Sequence, residues 1–157
     1  MSYILSSQRE DPSYTGEHYR KYHDHLKALS DRFPANAYAV ASSAWWYSFD
    51  DERAPHDAAL KHLRMTDTWA NAEDAPQFCS ITIELAAASG GRITITYPQV
   101  SSYEMSMTRD SGMHGGWLYD EFTLASDGCV VHTIEWSDGP VWVIRASDVI
   151  CTYCPAD

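Results

Sequence analysis

The chain has 157 residues, 45% of them hydrophobic and 13% aromatic, and its 22 Asp and Glu against 11 Lys and Arg give a formal net charge of −11. That much apolar material in one ordinary domain length points to a packed core rather than disorder. The acidity excludes phosphate-backbone recognition, which depends on clustered Lys and Arg, so no nucleic-acid partner is expected.

No stretch reaches the roughly 18 apolar residues of a membrane-spanning helix, and no membrane partner is expected. The opening residues, Met1 to Gln8, lack the basic and apolar regions of a secretory signal, which leads to the expectation of a cytoplasmic protein. The four cysteines, at 79, 129, 151 and 154, are too sparse for a disulfide-stapled scaffold. Cys151 and Cys154 form a single CxxC with no second pair to complete a zinc site. Neither a metal nor another cofactor is expected.

In chain order, residues 17–33 read as an amphipathic helix: Tyr19, Tyr22, Leu26, Leu29 and Phe33 recur at spacings of three and four. Pro34 ends it and opens a short second helix through Ala35 to Ser42. Trp45, Tyr47 and Phe49 alternate with Trp46 and Ser48, a strand pattern that stops at the acidic turn Asp50-Asp51-Glu52. The segment 58–67 suits either a helix or a strand. Cys79, Ile81, Ile83 and Leu85, then Ile93, Ile95 and Tyr97, alternate on either side of Ser89-Gly90-Gly91 and predict a hairpin. Further strands are expected near 99–107, 117–125, 129–136, 140–146 and 149–153. The expectation is one α+β domain over 1–157. Its helical part, 1–43, packs on an antiparallel β-meander of about seven to eight strands in a β-rich part, 44–157.

The chemistry-bearing strings are few. GxSxG, Walker, HExxH and GxGxxG patterns are all missing. His18, His23 and His25 share the first helix, yet no pair has the i, i+3 or i, i+4 spacing that brings two ligands to one ion; they read as surface histidines. The glycine-rich stretch Ser111-Gly112-Met113-His114-Gly115-Gly116, with Arg109 close by, runs into strand-like residues rather than a helix, so it reads as a connection and not a phosphate cradle.

The most informative segment is the hairpin from Trp117 to Trp136. A three-residue turn Ser126-Asp127-Gly128 sets Leu124 opposite Val130, Phe122 opposite His132, Asp120 opposite Ile134 and Leu118 opposite Trp136 on one apolar face. A two-residue turn would oppose Asp120 to Glu135, two like charges. The favoured register leaves Asp120 and His132 as diagonal neighbours on the apolar face. They form either a satisfied buried pair or a carboxylate-oriented general base in a pocket, with His56 and Asp57 nearby. The other face carries Trp117, Tyr119, Glu121, Thr123, Thr133 and Glu135, with Tyr119 opposite Glu135. Aromatics among carboxylates suit the docking of a basic protein, unless another layer covers them.

Trp45-Trp46-Tyr47, Pro55-His56-Asp57-Ala58, Gly116-Trp117-Leu118-Tyr119-Asp120-Glu121-Phe122 and Ile134-Glu135-Trp136-Ser137 resemble a group of small bacterial proteins. These are similar in character to immunity proteins of contact-dependent or polymorphic toxin systems. The resemblance spans roughly residues 36–153 and implies no catalytic residue. It implies an inhibitor-type binding protein, like the cytosolic, acidic members of that group, with a basic partner such as a toxin domain.

Two functions follow as expectations. The first is a non-enzymatic, immunity-like protein that masks a basic partner with Trp117, Tyr119, Glu121 and Glu135. The second is a small-molecule binder or hydrolase built around Asp120 and His132. The charge favours the first: residues 1–35 hold five acids and five bases, whereas 36–157 hold 17 acids and 6 bases, so the whole imbalance belongs to the β-rich part.

Overall fold

The computed structural model describes residues 2–6, 16–68, 77–107 and 112–157. Two helices, α1 (Gly16–Ala28) and α2 (Ala35–Ala41), precede eight strands: β1 (Ala59–Thr68), β2 (Phe78–Ala86), β3 (Arg92–Val100), β4 (Ser102–Glu104), β5 (Trp117–Leu124), β6 (Val130–Trp136), β7 (Val141–Ala146) and β8 (Ile150–Cys154). The α+β expectation holds, and every strand pairing is antiparallel. The strands are divided between two four-stranded sheets, ordered β1-β2-β3-β8 and β4-β7-β6-β5. Arg109 and Ser111 of the glycine-rich stretch lie outside the described residues.

The first helix stops earlier than its periodicity predicts. Phe33 precedes Pro34, whose ring disfavours helical backbone before it, and Leu29 to Phe33 instead form turns that still bury Phe33. Pro34 serves as the N-cap of α2 and offers no side-chain cap. Asp148, from the β7–β8 connection, takes that role: its Oδ1 accepts from Ala37 N and its Oδ2 from Asn36 Nδ2, both at 2.8 Å. The cap ties α2 to β8, against which it packs, as it does against β5.

The strand expected at 45–49 is corrected. These residues form successive turns, with Ser48 N donating to Trp45 O and Asp51 N to Ser48 O. Alternation misled because it grouped Trp45, Tyr47 and Phe49. The turns instead bury Trp46, whose indole N–H has an acceptor in the core, and leave Phe49 48% exposed. The ambiguous segment 58–67 resolves as the edge strand β1.

Both hairpins form as the turns predict. Gly90 and Gly128 take φ of +93° and +86°, left-handed values that suit glycine. In the second hairpin Ala125 N donates to Cys129 O and Gly128 N to Ala125 O, closing the three-residue loop. The two sheets meet at two corners. Val100 of β3 and Ser102 of β4 are separated by Ser101 alone, so the chain passes from one sheet to the other there. At the other corner Asp57 N donates to Trp117 O and Trp117 N to Ala58 O, joining the approach to β1 onto β5. One core cluster draws on the helices, the 45–58 turns and both sheets. No helix among the described residues is long and apolar enough to cross a membrane.

Candidate functional site

The β5–β6 hairpin carries the residues singled out from the sequence, and its register matches the three-residue turn from Leu124–Val130 to Tyr119–Glu135. Beyond Tyr119 a bulge intervenes, and Trp117 rather than Leu118 stands opposite Trp136. One extra residue moves a side chain to the other face. Trp117, expected on the outer face, is therefore buried in the core.

On the inner face Asp120 and His132 come together. Asp120 is 3% and His132 0% exposed, with His132 Nε2 2.9 Å from Asp120 Oδ2. Asp120 also accepts from Trp46 Nε1 at 2.8 Å and from Trp117 Nε1 at 3.0 Å. Tyr97, from β3 of the opposite sheet, places its hydroxyl 2.7 Å from His132 Nδ1. Burial, and then the charge of Asp120, hold the Tyr97 phenol well above its ordinary pKa, so it keeps a proton to donate. The arrangement fits an imidazole protonated at Nε2, donating to Asp120 and accepting from Tyr97 at Nδ1. Phe122 stacks on the same ring at 3.9 Å. A cavity beside Asp120 measures about 10 Å³, room for a single water. Tyr97 thus ties the pair to the opposite sheet, with both His132 nitrogens engaged. The sequence brought Asp120 and His132 to one face but did not show Trp46, Tyr97 or Trp117 as their partners. A buried indole or phenol calls for a hydrogen-bond partner, though not for any particular one.

The outer face is also covered, which corrects the expectation of an open acidic surface. Glu121 and Glu135 are buried under residues 2–6. Glu121 Oε2 accepts from Ser2 Oγ at 2.9 Å and from the backbone N–H groups of Tyr3 and Ile4 at 2.8 Å. Glu135 Oε2 accepts from Ser6 N and Ser6 Oγ, both at 2.8 Å. Residues 2–6 form a strap whose backbone and serine donors bond both buried carboxylates. From α1, Tyr22 lays its hydroxyl on the free edge of β5, donating to Phe122 O at 2.9 Å and accepting from Phe122 N at 2.8 Å.

Of the expected docking set, Tyr119 alone stays partly accessible, at the edge of a small aromatic cluster. Phe49 stacks on His56 with ring centroids 3.9 Å apart, and Tyr119 lies 6.4 Å from each. His56 Nδ1 approaches Asp57 Oδ2 at 3.1 Å, and Asp57 holds φ at +62° while its N–H is tied to Trp117 O. The loop beside this cluster carries Asp50, Asp51, Glu52 and Asp57. Arg53 is held there by Asp51 and lies over the Trp45 ring at 5.1 Å. The Arg53 side-chain bond, then its backbone N–H, depress the Asp51 carboxyl to about 2.

The remaining candidates have structural explanations. Gly115, at φ +77°, faces Ser137 and the backbone of Asp138 so closely that a Cβ would overlap them, which accounts for glycine in this connection. Cys151 and Cys154 lie three apart on a strand and therefore on opposite faces, so the CxxC does not form a paired site. Burial, and then Asp120, push the Cys151 thiol up to about 12. Among the described residues no three His, Cys, Asp or Glu converge as a metal-binding group. No family model, curated protein or solved structure matches the chain.

Proposed function

We propose that the chain is a non-enzymatic binding protein of the immunity or inhibitor kind, acting in the cytoplasm on a basic protein partner such as a toxin domain. The docking surface lies around Phe49, His56 and Tyr119 and the acidic loop Asp50-Asp51-Glu52, not at Glu121 and Glu135, which the strap occupies. The observation that carries the reading is Phe49, a large aromatic side chain 48% exposed and stacked on His56, with acidic side chains beside it. An aromatic anchor next to carboxylates supplies the buried contact and the steering charge that a basic partner requires. The net charge of −11 adds a long-range field that speeds encounter with a cation-rich surface.

The test is titration against the product of the neighbouring gene, at low and at physiological ionic strength. Fast association that slows with salt, weakened about tenfold by Phe49→Ala and slowed by Asp50→Lys with Glu52→Lys, supports the assignment. Affinity untouched by all three substitutions removes this surface. A partner that binds equally well at all salt concentrations removes the basic-partner reading.

A further inference from the structure

We propose that the outer edge of β1 is a strand-addition site for an extended peptide segment in which apolar and acidic residues alternate. This inference is independent of the docking surface around Phe49.

β1 is ten residues long and terminates its sheet; beyond the bridge from Ala59 to Gly116, no strand among the described residues pairs with its outer side. An edge of that length presents backbone N–H and C=O groups to any chain able to lie along it. Its two faces differ. Leu63 and Met65 stand opposite Ile83 and Ile81, so they belong to the core face, yet they remain 39% and 42% exposed. Two clefts adjoin this side of β1. One, of about 500 Å³, is bordered by Met65, Val100 and Tyr103, and the other, of about 430 Å³, by Leu60, Met107 and Met113. Apolar side chains on every second residue of an added strand would cover Leu63 and Met65 and enter these clefts, where the thioethers of methionine adapt to varied shapes.

The other face sets the charge of the occupant. It carries His62 and Arg64, opposite Glu84 and Thr82, with Lys61 at the bulge between Leu60 and His62. Two of the six Lys and Arg in residues 36–157 thus fall within four positions of β1. Acidic side chains on the added strand would meet Arg64 and His62 as cross-strand partners.

The same charges disfavour a second copy of the chain. Opposed residues in an antiparallel pair share a face, so two β1 strands meet only in a few registers. Leu63 against Met65 sets Arg64 against Arg64. Leu63 against itself sets Arg64 against His62. Met65 against itself sets Asp67 against Leu63.

The probe is a blocked decapeptide of alternating valine and glutamate, with the valine–lysine decapeptide as its counterpart, titrated against the full chain. The net charge of −11 favours the lysine peptide through long-range attraction, so preference for glutamate reports the local charge of β1. The expected result is binding of the glutamate peptide about tenfold tighter than the lysine peptide, a preference reversed in Lys61→Glu with Arg64→Glu. Arg64→Ala, with unchanged circular dichroism, weakens the glutamate peptide without strengthening the lysine peptide. N-methylation of every valine or of every glutamate abolishes binding in one set and spares it in the other, because alternate amides face the edge. Equal binding of the two peptides, glutamate binding that survives Arg64→Ala and the double reversal, or equal tolerance of both methylated sets overturns the proposal. So does self-association of the free chain that is lost in the same variants, which assigns the edge to a second copy.

Discussion

β5 and β1 are both terminal strands of four-stranded sheets, and the chain treats them in opposite ways. The edge of β5 is closed by residues distant in sequence: the Tyr22 hydroxyl bridges the backbone N–H and C=O of Phe122, and Asp57 and Ala58 pair with Trp117. Its outer face lies under the strap of residues 2–6, and its inner face holds the Asp120–His132–Tyr97 tie. Among the described residues β1 has no comparable cover beyond the bridge from Ala59 to Gly116. The difference teaches that closing an edge takes donors and acceptors from outside the sheet. Where they are not supplied, charged side chains such as Lys61, His62 and Arg64 are left to control what pairs there.

The largest way to break the contrast is to remove the tie beneath β5. Asp120→Ala leaves the Trp46 and Trp117 indoles and His132 Nε2 buried without their acceptor. The expected loss is about 3–5 kcal/mol in urea unfolding, enough to threaten folding of a chain this size. A loss below about 1 kcal/mol would show that the tie is not what holds the two sheets together.

Next comes the strap. Glu121→Lys replaces an acceptor of three hydrogen bonds with a cation facing the same donors, and about 3 kcal/mol of stability should disappear. Proteolytic cleavage within residues 2–6 should accelerate in parallel. If Glu121→Lys left stability intact, the buried position of that carboxylate would be in doubt and the outer face of the hairpin would return as a docking candidate. Tyr22→Phe is a milder probe of edge closure itself. It strands two backbone groups of Phe122, for an expected loss of about 2 kcal/mol and faster amide exchange at Phe122.

These three residues also mark how much the sequence could disclose. The hairpin register was legible because Gly128 permits one turn geometry and because the competing register opposes Asp120 to Glu135. Asp120 and His132 were therefore placed on one face correctly. Trp117 was not, since nothing local signals a bulge; it forms where Asp57 and Ala58 meet β5, a contact between segments some sixty residues apart. Cover of the outer face was illegible for the same reason. Ser2, Tyr3, Ile4 and Ser6 carry no periodic pattern, and their backbone amides, the groups that matter, are common to every sequence. Alternation at 45–49 imitated a strand because five residues fit period two by accident of composition. Short-range chemistry was readable, whereas the partners brought in by the fold were not.

The smallest effect concerns charge on a covered strand against charge on the open one. Arg145, on β7 between β4 and β6, reaches Asp127 in the hairpin turn at 2.7 Å. This bond, then the Cys129 N–H, hold the Asp127 carboxyl at about 2 against an ordinary 3.8. A carboxyl depressed in the folded state favours folding above its unfolded pKa, and that contribution disappears as pH falls through the folded value. The Asp127 contribution is therefore complete above pH 3.8 and fades towards pH 2. Arg145→Ala should flatten this part of the acid-unfolding curve while leaving in place the share of the separate Asp51–Arg53 pair, which falls in the same window. Arg64→Ala on β1 should leave the curve unchanged, since no acidic partner holds Arg64 among the described residues. Equal flattening by both variants would mean that Arg64 is engaged as firmly as Arg145, and the open edge of β1 would lose the cation that selects its occupant.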